Sequence, residues 1–172
     1  MDALLAPVVS GTKADKNNAK TLAFAHQTAQ ISFKVQAGDG LADNTTLSSI
    51  KIKNAELPTG FDLTKTNAAE VVTYASAADL TVPGITTGAT TISSTATSVG
   101  NAVMIKPISS KTFTIDVVTN NATYSNQTVT VNTNSIEAGT AYEVTLTFGQ
   151  EGLSLQGNIT PWVSKTGTGT LK

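Results

Sequence analysis

Apolar and polar residues alternate along most of this chain, most regularly near its end. Tyr142, Val144, Leu146 and Phe148 alternate with Glu143, Thr145 and Thr147, and Leu153, Leu155 and Ile159 alternate with Ser154, Gln156, Asn158 and Thr160. A period of two sends successive side chains to opposite faces, so each run predicts a strand with one buried and one wet face. Residues 149–152, with glycine at both ends, predict the turn of a hairpin. Trp162 stands where its second strand stops. Upstream, Phe113, Ile115 and Val117 alternate with Thr112, Thr114 and Asp116, and Val129 and Val131 alternate with threonines. Ile50 and Ile52 predict an inward face, with Lys51 and Lys53 outward.

Residues 20–35 predict a long strand with a change of phase. Leu22, Phe24 and His26 share one parity, and Ala29, Ile31, Phe33 and Val35 share the other. A bulge or bend near residues 26–28 is the expected cause, because a one-residue slip exchanges the faces. Turns are predicted at Gly38-Asp39-Gly40, Pro58-Thr59-Gly60, Pro83-Gly84, Asn120-Asn121 and Asn132-Thr133-Asn134. Short strands are expected at 61–64, from Val71, at 80–82 and from Val103. Residues 86–101 are Thr/Ser-rich with only Ile92 and Val99 as large apolar groups, and read as either an edge strand or a long surface loop. Residues 1–19 read as an arm, with 2–9 paired along a sheet edge, and 20–172 as one domain ending in a short tail, 163–172. About nine to eleven strands at spacings near 8–12 residues, with no amphipathic helix, predict an all-β fold. The architecture expected is a two-sheet antiparallel β-sandwich with Greek-key connections.

Size and composition narrow this further. A chain of 172 residues is long enough for one domain that buries roughly 70% of its unfolded surface. It has no cysteine, so no disulfide supports the core. Charged residues make up 13%, against about 25% in an average soluble domain, and threonine, serine and asparagine replace them. The net charge is -1 and every basic residue is a lysine, so no basic face exists to neutralise phosphates, and nucleic acid is excluded as a partner. There is no apolar run of about 20 residues to cross a membrane as a helix. The start, Met1-Asp2-Ala3-Leu4-Leu5-Ala6-Pro7, lacks the basic region and apolar stretch of a signal peptide.

Candidate chemistry is sparse. His26 is the only histidine, and a lone histidine on a Leu-x-Phe-x-His strand reads as a packed structural residue rather than one member of a triad. Asp39, Asp43, Asp62, Glu70, Asp79, Asp116, Glu137, Glu143 and Glu151 fall mostly in turns or at outward parities, where carboxylates are solvated rather than paired for acid–base work. The acids of Gly38–Asn44 do not follow the spacing of a calcium loop, and Gly167-Thr168-Gly169 opens no helix that could bind a dinucleotide. No catalytic, cofactor-binding or metal residue is therefore assigned, and no enzyme activity is expected.

The end of the chain also carries a resemblance. Ala138-Gly139-x-x-Tyr142, an alternating strand, a tight turn and a second strand ending in Ile159-x-x-Trp162 resemble the C-terminal signature of fimbrillins, the pilus subunits and pilus-like surface proteins of Bacteroidales-type bacteria. Asp2-Ala-Leu-Leu-Ala6 is similar to the segment that precedes the second half of such proteins. Leu22–His26 with Ala29–Phe33 is similar to their Phe-x-His strand, and Val103–Pro107 to a mid-domain element ending in proline. The pieces follow the family order across residues 2–162.

The resemblance implies a transthyretin-like sandwich and a structural or adhesive role at the cell surface, as a tip, accessory or shaft subunit of a fimbria on the outer membrane. It implies export as a lipoprotein, with a lipid anchor and a preceding domain upstream of this chain, and no cofactor. Partners would be other pilus subunits, joined by strand exchange, a form of β-augmentation. Val163 and Leu171 would be the large apolar anchors of a donor-strand tail, and His26, Tyr142 and Trp162 would be structural. The alternative is a non-polymerising adhesin or glycan-binding module that contacts host proteins or sugars, with exposed aromatics as the stacking groups.

Overall fold

The two most regular alternating runs lie side by side in the middle of one sheet. In the computed structural model, which describes residues 2–15, 19–65, 68–149 and 152–160, these are β3 (Ala29–Ala37) and β12 (Ala141–Gly149). β9 (Thr97–Ile105) flanks β3 and β13 (Gly152–Thr160) flanks β12, giving the order β13-β12-β3-β9. The facing sheet has the order β11-β10-β4-β7, formed by β11 (Thr123–Thr130), β10 (Thr112–Thr119), β4 (Thr46–Ala55) and β7 (Ala78–Thr81), with β8 (Thr90–Thr91) also on β4. Two small ladders complete the fold: β1 (Leu4–Leu5) with β2 (Ala25–His26), and β5 (Pro58–Phe61) with β6 (Val72–Tyr74).

The inward parities form the core. Ile31, Phe33 and Val35 of β3 and Tyr142, Val144, Leu146 and Phe148 of β12 are fully buried, as are Leu47, Ile50 and Ile52 of β4 and Ile115 and Val117 of β10. Each such aliphatic or phenyl side chain contributes roughly 1.5–3 kcal/mol when withdrawn from water. The all-β sandwich is thus as the alternation predicts, with one pairing of opposite sense. β3 and β12 run parallel, from Ala141 beside Gln30 to Phe148 beside Ala37. A parallel pair needs a long crossover; here the connection between the partners is nearly the whole domain, passing through the facing sheet and back.

Several local expectations are corrected. The strand expected from residue 20 begins only at Ala25 and breaks at Gln27–Thr28, and Leu22 and Phe24 lie exposed rather than on an inward face. Pro58–Gly60, expected as a turn, belongs to β5. The turn comes afterwards, where Asp62 accepts bonds from the Thr64 amide at 3.0 Å and hydroxyl at 2.6 Å. Val71 closes a one-turn helix, α1 (Ala68–Val71), rather than opening a strand. The Thr/Ser-rich stretch divides: β8 and the start of β9 are strands, and the residues between them form the loop. Gly100 sits in β9 with φ of +65°, and a Cβ there would lie 2.7 Å from Val82 Cγ1, so only glycine permits the Val82–Ile85 loop to close over that edge.

Candidate functional site

His26 lies at the root of the arm. Its Nδ1 is 2.6 Å from Asp2 Oδ2, and the Thr28 hydroxyl donates to the other oxygen, Oδ1, at 2.8 Å. The Gln27 amide donates to the Ala3 carbonyl at 2.8 Å, and Ala3 and Thr28 are buried. The carboxylate is the shared acceptor for imidazole and hydroxyl. That arrangement ties residues 2–5 to β2; it does not place a base against a nucleophile. The partner of His26 was not legible in the sequence, because Asp2 is 24 positions away and no local spacing connects them.

Tyr142 is fully buried. Its hydroxyl accepts from the Glu137 amide at 2.9 Å and donates to the Ser135 carbonyl at 3.3 Å, which locks the 132–137 turn onto the start of β12. Trp162, Val163 and Leu171 lie outside the described residues. Among the described residues no group of three His, Cys, Asp or Glu side chains could hold a metal ion.

The carboxylates with displaced pKa values also hold structure together. Asp79 lies below its ordinary value because it accepts from Lys53, whose ammonium sits 2.5 Å away. Lys53 is raised by that bond, and Asp116 at 3.5 Å adds to the effect. This links β7, β4 and β10 across the outer face of one sheet. Asp62 is lowered by the Thr64 hydroxyl and amide. Tyr74 is raised chiefly by burial and then by the charge of Glu56, while its hydroxyl donates to the Gln27 carbonyl at 2.9 Å.

The feature with binding geometry lies where the two sheets come together edge to edge. β11 and β13 run in the same direction along this seam. They touch at one bridge, Val131 with Gly157, where a Cβ on residue 157 would stand 3.2 Å from the Thr130 carbonyl oxygen. Glycine here admits the neighbouring backbone. A cleft of about 780 Å³ lies between β11 and the start of β13. Its walls include Asp39 from the β3–β4 turn, Tyr124 and Gln127 from β11, and Leu153 and Ser154 from β13.

A bulge aims the β11 side chains. Ile115 of β10 pairs with Gln127 and Val117 pairs with Tyr124, so one intervening residue of β10 faces two of β11. Asn126 takes a φ of +53° there, and its amide donates to Asp116 Oδ1 at 2.8 Å. The extra residue changes the parity of the strand, bringing Tyr124 and Gln127 to the same side. The Tyr124 ring meets the buried Phe148 ring edge-on, with centroids 5.6 Å apart. This cleft was not predicted; its described walls come from three separated segments, and nothing in their local sequence states that they meet.

The comparisons with known proteins agree with this architecture. The sequence pattern of a family described as fimbrillin-like matches residues 1–162. No curated protein matches the chain. Among solved structures, a candidate cell-adhesion protein from Bacteroides uniformis is similar at a TM-score of 0.52 and 14% identity, over 83% of this chain and 53% of its own. A second, from Bacteroides ovatus, is similar at 0.51 and 20%, over 94% and 61%. The tip fimbrial protein Mfa3 from Porphyromonas gingivalis, truncated at its C-terminus, scores 0.48 at 11%, over 90% and 60%. The first two likenesses establish the fold. The chain spans little more than half the length of these solved proteins.

Proposed function

The chain belongs to the fimbrillin-like family, and from that premise we propose that it is a structural domain of a fimbrial, cell-surface adhesive protein that joins other subunits by β-strand exchange. The observation that carries the reading is the last ladder. β13 keeps unbroken register with β12 from Gly152 to Thr160, with no bulge. Its sequence contains neither charge nor proline, the two devices that most often protect a sheet edge from pairing with another chain. Ile159 on this strand is 43% exposed although its parity faces inward. An edge strand of this kind continues directly into residues 161–172, the segment available as a donor. Main-chain bonds and the side chains of Val163 and Leu171 would supply the binding, with no cofactor. Surface display in a fimbria, with a lipid anchor upstream, follows from the same reading.

The test uses the full-length protein that contains this chain. Deleting 163–172 should abolish formation of denaturation-resistant multimers, and Val163→Asp with Leu171→Asp should reproduce most of that loss while leaving the domain folded. Unimpaired assembly after the deletion would overturn strand exchange through the tail. The cleft beside Tyr124 favours a second reading, a domain that also binds a ligand at the cell surface.

A further inference from the structure

We propose that the cleft between β11 and β13 is a saccharide-binding site for uncharged sugars. This inference deepens the second reading above and is argued from described residues alone, apart from strand exchange. Its volume, about 780 Å³, falls within the range of roughly 300–1,000 Å³ typical of small-molecule sites. One aromatic ring stands among several polar groups. Tyr124 is half-buried, and Phe148 fixes its ring from the core side. Asp39, Gln127, Thr147 and Ser154 line the cleft with it. Gln127 donates its amide nitrogen to the Ser125 carbonyl at 2.9 Å, and its side-chain oxygen takes no part in that bond.

One wall of the cleft is anchored by the backbone. The Gly38 amide donates to the Phe148 carbonyl at 2.7 Å, and a Cβ on Gly38 would stand 3.0 Å from Thr147 Cγ2, so the turn bearing Asp39 is fastened to β12. A ring held from behind and a carboxylate on a fastened turn need little ordering when a ligand binds.

The charge pattern selects the ligand. Among the described residues, Asp39 is the only charged side chain lining the cleft, and no lysine lines it. A phosphate or a sialylated sugar would meet uncompensated repulsion. A neutral sugar offers hydroxyls that donate to a carboxylate and an apolar ring face that stacks on an aromatic ring.

The experiment titrates the isotopically labelled chain with lactose, maltose, cellobiose and N,N′-diacetylchitobiose at millimolar concentration, following amide shifts by NMR. Sialyllactose and an extended Thr/Val peptide serve as comparison probes. At least one neutral disaccharide should shift the amides of Asp39, Tyr124, Gln127 and Ser154. Tyr124→Ala should weaken that binding about tenfold, the loss of one stacking contact. Tyr124→Phe, which keeps the packing on Phe148, should retain it, and Asp39→Asn, at an exposed position, should weaken it without altering the spectrum elsewhere. Removal of 163–172 should leave it unchanged. The proposal is overturned if no neutral disaccharide shifts these amides, if sialyllactose or the peptide alone does so, or if the shifts map to another face.

Discussion

Removing the hydroxyl of Tyr142 tests how the last hairpin is anchored. The side chain is fully buried, and its hydroxyl bonds two backbone groups, the Glu137 amide at 2.9 Å and the Ser135 carbonyl at 3.3 Å. Tyr142→Phe keeps the ring and deletes both bonds. Each such bond contributes roughly 0.5–1.5 kcal/mol net, and Glu137 is exposed enough for water to take over part of its bond. The expected cost is therefore about 1–2 kcal/mol. For a domain of this size that is a fall of roughly 2–8 °C in Tm, at about 2–4 °C per kcal/mol. Tyr142→Ala also removes the ring from the core and should cost about 3–5 kcal/mol. Urea titration of the three proteins gives the two steps. Hydrogen exchange locates the first, because the Glu137 amide should exchange faster in Tyr142→Phe while the β3 amides do not. A Phe variant within about 0.3 kcal/mol of the parent, or one with an unchanged Glu137 amide, would refute the claim that this hydroxyl pins the turn.

Two further outcomes follow from the seam and the surface charges. Gly157→Val places a Cβ 3.2 Å from the Thr130 oxygen and from Val131 Cγ1, so β11 and β13 must separate at their one bridge. A loss of about 1–3 kcal/mol is expected, against less than about 0.5 kcal/mol for the exposed control Asn158→Thr. Equal midpoints in thermal denaturation would show that the seam carries no strain. Stability should also fall at both ends of the pH scale. Asp79 and Asp62 lie below their ordinary value of 3.8, so what they contribute is complete above that pH and is lost as pH falls through their lowered values. Lys53 lies above 10.5 and Tyr74 above 10.0, so their contributions are complete below those values and are lost as pH rises through the raised ones. Asp79→Asn should shrink both the acid limb and the Lys53 part of the alkaline limb in a pH series of urea midpoints. Unchanged limbs would show that the Lys53–Asp79 contact does not persist in solution.

What was legible in the sequence and what was not divide along one physical line. Period-two runs such as 142–148 and 113–117 report burial directly, because each side chain's face follows from its neighbour's. The sheets built from them are the ones expected. Pairing is not encoded in that way. Nothing in Ala29–Ala37 or Ala141–Gly149 states that the two lie side by side in parallel, since alternation is the same for either direction. Exposed apolar residues mislead for a similar reason: Leu22 and Phe24 share the parity of His26 but lie exposed.

The cleft lies furthest from what local pattern can show. Tyr124 and Gln127 are three positions apart, which in a regular strand would put them on opposite faces. They share one only because Asn126 takes a left-handed conformation opposite Asp116. Asn126 thus gives the Thr/Asn-rich exterior a specific task. Without it Tyr124 and Gln127 would stand on opposite faces of β11 and would not both line the cleft. The same bulge helps to keep β11 from serving as a pairing edge, whereas β13 is regular and uncharged, as the proposed strand exchange requires. If both proposals hold, the two edges of the seam have separate uses: the bulged β11 contributes Tyr124 and Gln127 to the cleft, and the regular β13 serves strand exchange.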